Sequence, residues 1–282
     1  MSASTTRFTR TSKALFHEPN ALVGAGLLLL IIVISLIAPL ISPDPTVVNP
    51  LHRLAPPSLE HPFGTDNLGR DVFALTLWGG RASLLITAIS TAIAVILGYA
   101  IGVLAGYFRL FDSIVMRIMD GLMSFPSVVL MISLVGVLGN GVIPLIIGMS
   151  ITLIPATARL VRGAALSAKE LTSVESARAI GARTPRILIR YIAPEGVSVV
   201  IVQTTMALAT GILVIASLSF IGIGLDPSTP SWGGSLSSAQ QYFNPAWWMA
   251  VFPGLAIFVT VLGLVLVGDA LRDVLDPRSS RG

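Results

Sequence analysis

The residues with chemical potential are few, and most gather in one stretch. Arg159, Arg162, Lys169, Arg178, Arg183, Arg186 and Arg190 fall there, with Glu170, Glu175 and Glu195 among them. Such a stretch can bind an acidic partner, or it can hold a loop on one side of a membrane. It cannot cradle a nucleotide phosphate. The only lysines, Lys13 and Lys169, follow Ser12 and Ala168, so no Gly-Lys-Ser/Thr loop exists. The chain has no cysteine, which excludes thiolate nucleophiles, disulfides and cysteine-bound metals. His17, His52 and His61 lack a second ligand at helical spacing and read as loop histidines. No catalytic residue, metal site or cofactor bound by this chain is expected.

The local pattern around the charges is that of two short helices. Thr172-x-x-Glu175 matches a capping box, whose hydroxyl and carboxylate satisfy the free amides of a helix start. A helix from about Ser173 would stop near Gly181, a residue suited to the left-handed C-terminal cap. Thr184 and Pro185 then open a second helix, as N-cap and first helical residue. Arg186 and Arg190, four apart, share one face of it. The expected product is a stiff basic knob, bent between Gly181 and Thr184, able to transmit displacement.

The elements that must position this knob are apolar. Hydrophobic residues make up 54% of the chain and charged ones 11%, with a mean hydropathy of +0.85. A soluble domain carries about 25% charged residues, so this is an integral membrane protein. A charge in hydrocarbon is costly, and the intervals 19–43, 82–108, 121–158, 196–225 and 227–268 have none. About 20 apolar residues cross a bilayer core. Interval 121–158 holds two spans, parted by the turn-forming Gly139-Asn140-Gly141. The first half of 227–268 contains Pro227, Pro230, Gly233 and Gly234 and is no span.

Six helices are therefore expected in a single transmembrane domain, 82–270 with a preceding first span: 22–41, 84–106, 121–138, 142–160, 197–221 and 249–268. The connections are 1–20, 42–83, 161–195, 222–247 and 269–282. The first apolar run reaches Pro39 without a small-residue cleavage site and reads as an uncleaved span. With the N-terminus inside, only Arg53, Arg70 and Arg81 of the 18 basic residues lie outside. That asymmetry gives N-in and C-in and accounts for the pI near 10.0 without nucleic acid.

Other polar residues are more equivocal on pattern alone. Asp66, Arg70 and Asp71 sit in an outer loop rich in turn formers and could contact a partner or brace the turn. Gln203, Thr204 and Thr210 on the fifth span could line a path or bond neighbouring helices. Gly98, Gly102 and Gly106 recur every fourth residue, a spacing for close helix packing. Tyr242, Trp247 and Trp248 suit an interfacial belt before the sixth span. No ionisable group falls within the spans, which argues against a self-sufficient ion-driven carrier.

Glu175-Ser176-Ala177, with Gly181, Ile192 and Pro194, resembles the EAA loop of binding-protein-dependent ABC importer permeases. The usual second residue is alanine; here it is Ser176. His61-Pro-Phe-Gly-Thr-Asp-Asn-Leu-Gly-Arg-Asp71 resembles the C-type branch of the dipeptide, oligopeptide and nickel permeases. So do Ala216 to Gly224, Pro230-Ser-Trp-Gly233 and Gly268 to Pro277. The resemblance implies an all-α type I importer permease in a bacterial cell membrane. It implies that Glu175, Ser176, Ala177, Arg178, Gly181, Ala182 and Pro185 dock on an ATPase subunit. It places segment 222–247, with Ser231 and Trp232, against delivered cargo or its carrier. The implied partners are a second homologous permease, two ATPase subunits holding ATP and magnesium, and an extracytoplasmic peptide-binding protein. The implied cargo is a dipeptide or short oligopeptide, with nickel as the alternative. Outside this family, the readings left are an ion-coupled carrier and a membrane scaffold.

Overall fold

In hydrocarbon every backbone N–H and C=O must pair within its own segment, so long apolar runs become helices. The computed structural model describes residues 18–226 and 228–275. The expected basic N-terminal segment up to His17, and the tail residues from 276 onward, lie outside the described residues. Helix α1 is Pro19–Leu36, α2 Val72–Tyr107, α3 Arg109–Met123, α4 Ser127–Leu138 and α5 Val142–Lys169. The short α6 is Thr172–Ala179, and α7 runs over Thr184–Phe220. Helix α8 is Trp232–Ala239 and α9 is Trp248–Leu275. Among the described residues no strand forms, only an isolated bridge between Thr65 and Asp71.

Helices α1, α2, α5, α7 and α9 are long and apolar enough to cross a membrane. The stretch 121–138, expected as one helix, is divided instead. Helices α3 and α4 meet at 94° and supply a sixth span only if taken together. The cause is Pro126. It has no N–H to donate and biases the residue before it away from helix. Ser124 closes α3 by donating its N–H to the Asp120 carbonyl (3.0 Å).

Charge also misplaces four helix ends, one being the start expected at 197, which lies at Thr184. The helix expected at 84–106 begins at Val72, because the Asp71 carboxylate accepts from the N–H groups of Phe73 (2.7 Å) and Ala74 (3.3 Å). The helices expected to stop at 160 and 268 run on to Lys169 and Leu275. A helix can leave the apolar layer without ending.

Small residues bring the helices together. An added Cβ at Gly98 would lie 2.8 Å from Thr157 Cβ, and one at Gly102 only 2.6 Å from Val161 Cβ. Gly106 meets Ala165 in the same register. Two ladders spaced by four residues thus clasp α2 to α5 along their length. Gly24 and Gly263 each face the other's carbonyl, which seats α1 against α9. Arg162 forms a two-pronged ion pair with Asp112 (Nη2 to Oδ2, 2.7 Å), and Arg159 reaches Asp120 (2.6 Å), so α3 is tied to α5. The Gly139-Asn140-Gly141 turn docks on the loop after α7, where Gly141 donates to the Gly224 carbonyl (2.5 Å).

Candidate functional site

The knob expected from the sequence forms, with altered details. Leu171, not Thr172, takes the cap position of α6, and its carbonyl accepts from Val174 (2.9 Å) and Glu175 (3.2 Å). No side chain caps this helix, so the Thr172-Glu175 capping box does not operate. Glu175 stays exposed in the first turn, where a carboxylate complements the helix dipole. The helix stops as expected. Gly181 has φ +76° and donates to the Arg178 carbonyl, while Ala182 donates to Ala177 (2.9 Å each). That paired pattern is a Schellman motif. The next helix opens at Thr184, one residue earlier than expected, with Arg183 at its cap.

The knob is rooted rather than floppy. Val174, Ala177, Ile187 and Ile192 are buried in one cluster with Val103, Val161, Ala165 and Val200 of the bundle. Leu188–Ile192 makes a widened π turn, closed by the Ala193 N–H on the Leu188 carbonyl. Pro194 follows and has no N–H for the normal helical bond. Tyr99 of α2 donates its hydroxyl proton to the Ala193 carbonyl (2.5 Å). Lys169 donates to the Tyr107 carbonyl (3.0 Å), and Arg178 lies 5.7 Å from the Tyr107 ring centre.

This root sorts the expected docking residues. Ala177 turns into the bundle and Ala182 is half-buried against it, because a helix this short has one face to anchor and one to present. Glu175, Ser176, Arg178, Gly181 and Pro185 remain exposed. Beside them opens a cleft of about 880 Å³ walled by Arg183, Arg186, Arg190 and Tyr191, with Ile180 at its lip. Sequence reasoning passed over Ile180, which is 84% exposed. A large apolar residue directly before the cap glycine was the available signal.

At the opposite end, the outer loop is built from its own charges. The Asp66 carboxylate accepts from Leu68 and Arg70 N–H groups (2.8 Å each) and pairs with Arg70 Nε (2.7 Å). Asp66 is 2% exposed, so it braces the loop from within. Asp71 caps α2 with one oxygen and meets His61 Nδ1 (3.1 Å) with the other. Trp232, implied as a contact residue, is instead a core residue. Its indole N–H donates to the Thr76 carbonyl (2.8 Å), and 1% of it is exposed. Ser231 is buried and caps α8 through the Gly234 N–H. Trp248 lies under the outer loop and donates to the Thr65 carbonyl (3.0 Å), so only Trp247 of that pair is exposed.

Between the α7–α8 connection and α8 lies a polar pocket of about 220 Å³, bordered by Arg70, Asp226, Ser235 and Ser238. Ser219 also borders it, and its buried hydroxyl has no hydrogen-bond partner. The Asp226 carboxyl is held below the usual carboxylate range by the Ser228 hydroxyl and then by the Ser228 N–H. The pocket thus offers a fixed anion, a guanidinium and hydroxyls to a small polar ligand. On α7 the Thr204 and Thr210 hydroxyls donate to their own helix carbonyls at Val200 (2.7 Å) and Met206 (2.9 Å). Gln203 is half-buried and Thr210 exposed, seven residues apart on one face of α7.

Residues 94–281 match the family of binding-protein-dependent transport system inner membrane components, and residues 6–57 match the N-terminal transmembrane domain of oligopeptide transport permease C. A probable peptide ABC transporter permease of Sinorhizobium fredii is 46% identical over 94% of this chain and 91% of its own. A dipeptide transport system permease of Alkalihalophilus pseudofirmus is 38% identical over 94% and 88%. A glutathione transport system permease of Escherichia coli is 47% identical over 79% and 74%. Among solved structures, an inward-facing methionine ABC transporter superposes with TM-score 0.57 at 21% identity, over 71% of this chain and 96% of that one. The fold is thus that of a type I importer permease, and the chain belongs to the binding-protein-dependent inner-membrane transport components, as a C-type permease of the dipeptide, oligopeptide and nickel branch.

Proposed function

We propose that this chain is the permease subunit through which an ATP-driven importer moves dipeptides or short oligopeptides into the cytoplasm. The observation that carries the reading is the rooted knob: a bent, basic element whose inner face is part of the bundle core. Force applied at Glu175, Arg178 or Ile180 reaches α2, α5 and α7 through packed side chains rather than through a loose tether. The docking role belongs to the exposed residues Glu175, Ser176, Arg178, Gly181 and Pro185, with Ala177 and Ala182 holding them in place. ATP and magnesium belong to two partner ATPase subunits, a division supported by the lack of a Gly-Lys-Ser/Thr loop in this sequence.

In the proposed cycle, ATP binding draws the ATPases and their seated knobs together. The bundle, paired with a second homologous permease, then opens outward, and an extracytoplasmic binding protein releases cargo into it. Two discrete states are needed, each stabilised by a different contact set. We assign cargo contact in segment 222–247 to the pocket bordered by Arg70, Asp226 and Ser235.

The test is uptake into proteoliposomes holding the full complex, with labelled dipeptides, tripeptides and nickel offered separately. Peptide uptake that requires ATP and the binding protein supports the reading. Nickel uptake alone transfers it to the metal branch, and robust uptake by this chain alone under an ion gradient overturns it.

A further inference from the structure

His52 and His61 are nine residues apart and carry no pattern that joins them. The fold joins them. Ala55 and Thr65 pair through the Thr65 N–H on the Ala55 carbonyl (2.9 Å), and Leu54 donates to the Asp66 carbonyl (3.0 Å). Ser58 donates to the His61 carbonyl (2.9 Å), which reverses the chain between them. Gly69, at φ +76°, lies directly against the Asn49 backbone and leaves no room for a side chain. The result is a pinned loop in which one ligand atom from each of His52, Glu60 and His61 lies within 4.8 Å of the others.

The nitrogen geometry is that of shared coordination. His61 Nδ1 is 3.1 Å from Asp71 Oδ2, and the tautomer that donates to this carboxylate leaves Nε2 as the ligating nitrogen. That Nε2 is 3.4 Å from His52 Nδ1, at the long end of hydrogen-bond distance. Two nitrogens bound at about 2.0–2.1 Å to one tetrahedral ion stand about 3.3–3.4 Å apart. A carboxylate behind a ligating imidazole is also the usual outer-shell support, fixing tautomer and ring. Two imidazoles and a carboxylate suit a borderline transition-metal dication. They do not suit magnesium or calcium, which take oxygen ligands.

We propose that His52, Glu60 and His61 form a site for a transition-metal dication of the zinc and nickel type, with Asp71 as its orienting partner. The ion closes the loop reversal from 52 to 61. Through Asp71, which also caps α2, it braces the point where the outer loop becomes a helix. This site stands on the loop geometry alone and is independent of the cargo.

The test uses the full chain, purified in detergent without a polyhistidine tag and stripped with chelator. Calorimetric titration with Zn²⁺ and with Ni²⁺ gives one saturable equivalent, and Mg²⁺ gives none. His52→Ala and His61→Ala each weaken binding at least tenfold. Asp71→Asn keeps the helix cap and weakens binding about tenfold. His17→Ala leaves it unchanged. In a second measurement, Zn²⁺ slows amide exchange across residues 50–64 in the wild type and not in the double histidine variant. Absence of a saturable site, or equal binding by a folded His52→Ala/His61→Ala chain, overturns the proposal.

Discussion

Gly181 shows most clearly how one residue shapes the knob. Its φ of +76° lies where a side chain costs about 1–2 kcal/mol, yet no atom within 4 Å would meet an added Cβ. Substitution there perturbs the backbone without a clash. Gly181→Val should therefore leave membrane insertion intact, lower peptide uptake several-fold and leave ATP hydrolysis running uncoupled. Gly181→Asn, which tolerates the left-handed region, should retain most uptake. Normal uptake by the valine variant would refute the bent-knob mechanism. Neighbouring residues divide the same way, by exposure. Ile180→Asp should reduce co-purification of the ATPase subunits without shifting the unfolding temperature of the isolated chain. Ala177→Leu should do the reverse, overfilling the root by about 1–3 kcal/mol. If both variants behave alike, the assignment of faces is wrong.

Among elements, α3 and α4 carry the largest departure from the sequence reading. Freedom from charge places a segment in hydrocarbon, but it does not make that segment one helix. Phe125-Pro126 breaks the run, and α3 keeps its charges by pairing Asp112 and Asp120 with arginines of α5. The two pairs differ in surroundings. Arg162 and Asp112 are 32% and 19% exposed, whereas Arg159 and Asp120 are 50% and 62% exposed. A double-mutant cycle on the first pair should give a coupling energy between about 0.5 and 3 kcal/mol, and on the second no more than about 1 kcal/mol. Detergent unfolding curves of the four variants in each cycle measure both. The α2–α5 clasp sets a second expectation. Gly102→Val should prevent stable folding, because Val161 and the Ala158 carbonyl leave no space for a branched side chain. Ala158 and Val161 are themselves buried and cannot yield easily.

At the scale of the whole molecule, the exposed surface is strongly apolar. Leu29, Leu40, Ile96, Val137 and Ile143 are each more than 60% exposed, as expected where lipid replaces water. The proposed power source also belongs to this scale. The isolated chain should hydrolyse no ATP, whereas the assembled complex should hydrolyse it faster when cargo-loaded binding protein is added. A complex whose ATPase rate ignores cargo would favour a scaffold role instead.

The amino-acid sequence alone determined the membrane class, the apolar segments and the position of the basic loop, because desolvation of charge acts residue by residue. It also determined the Gly181 stop and the glycine ladder of α2, because these depend on backbone conformation and on a spacing of four within one segment. Only the tertiary structure decided which side of the knob is root and which is free, since burial of Ala177 depends on Val161 and Ile187 from other segments. The same holds for Trp232, whose indole N–H finds its acceptor on Thr76, and for His52 and His61, drawn together by a loop pinned at Gly69. Contacts between distant segments are set by packing in three dimensions, which no local spacing encodes.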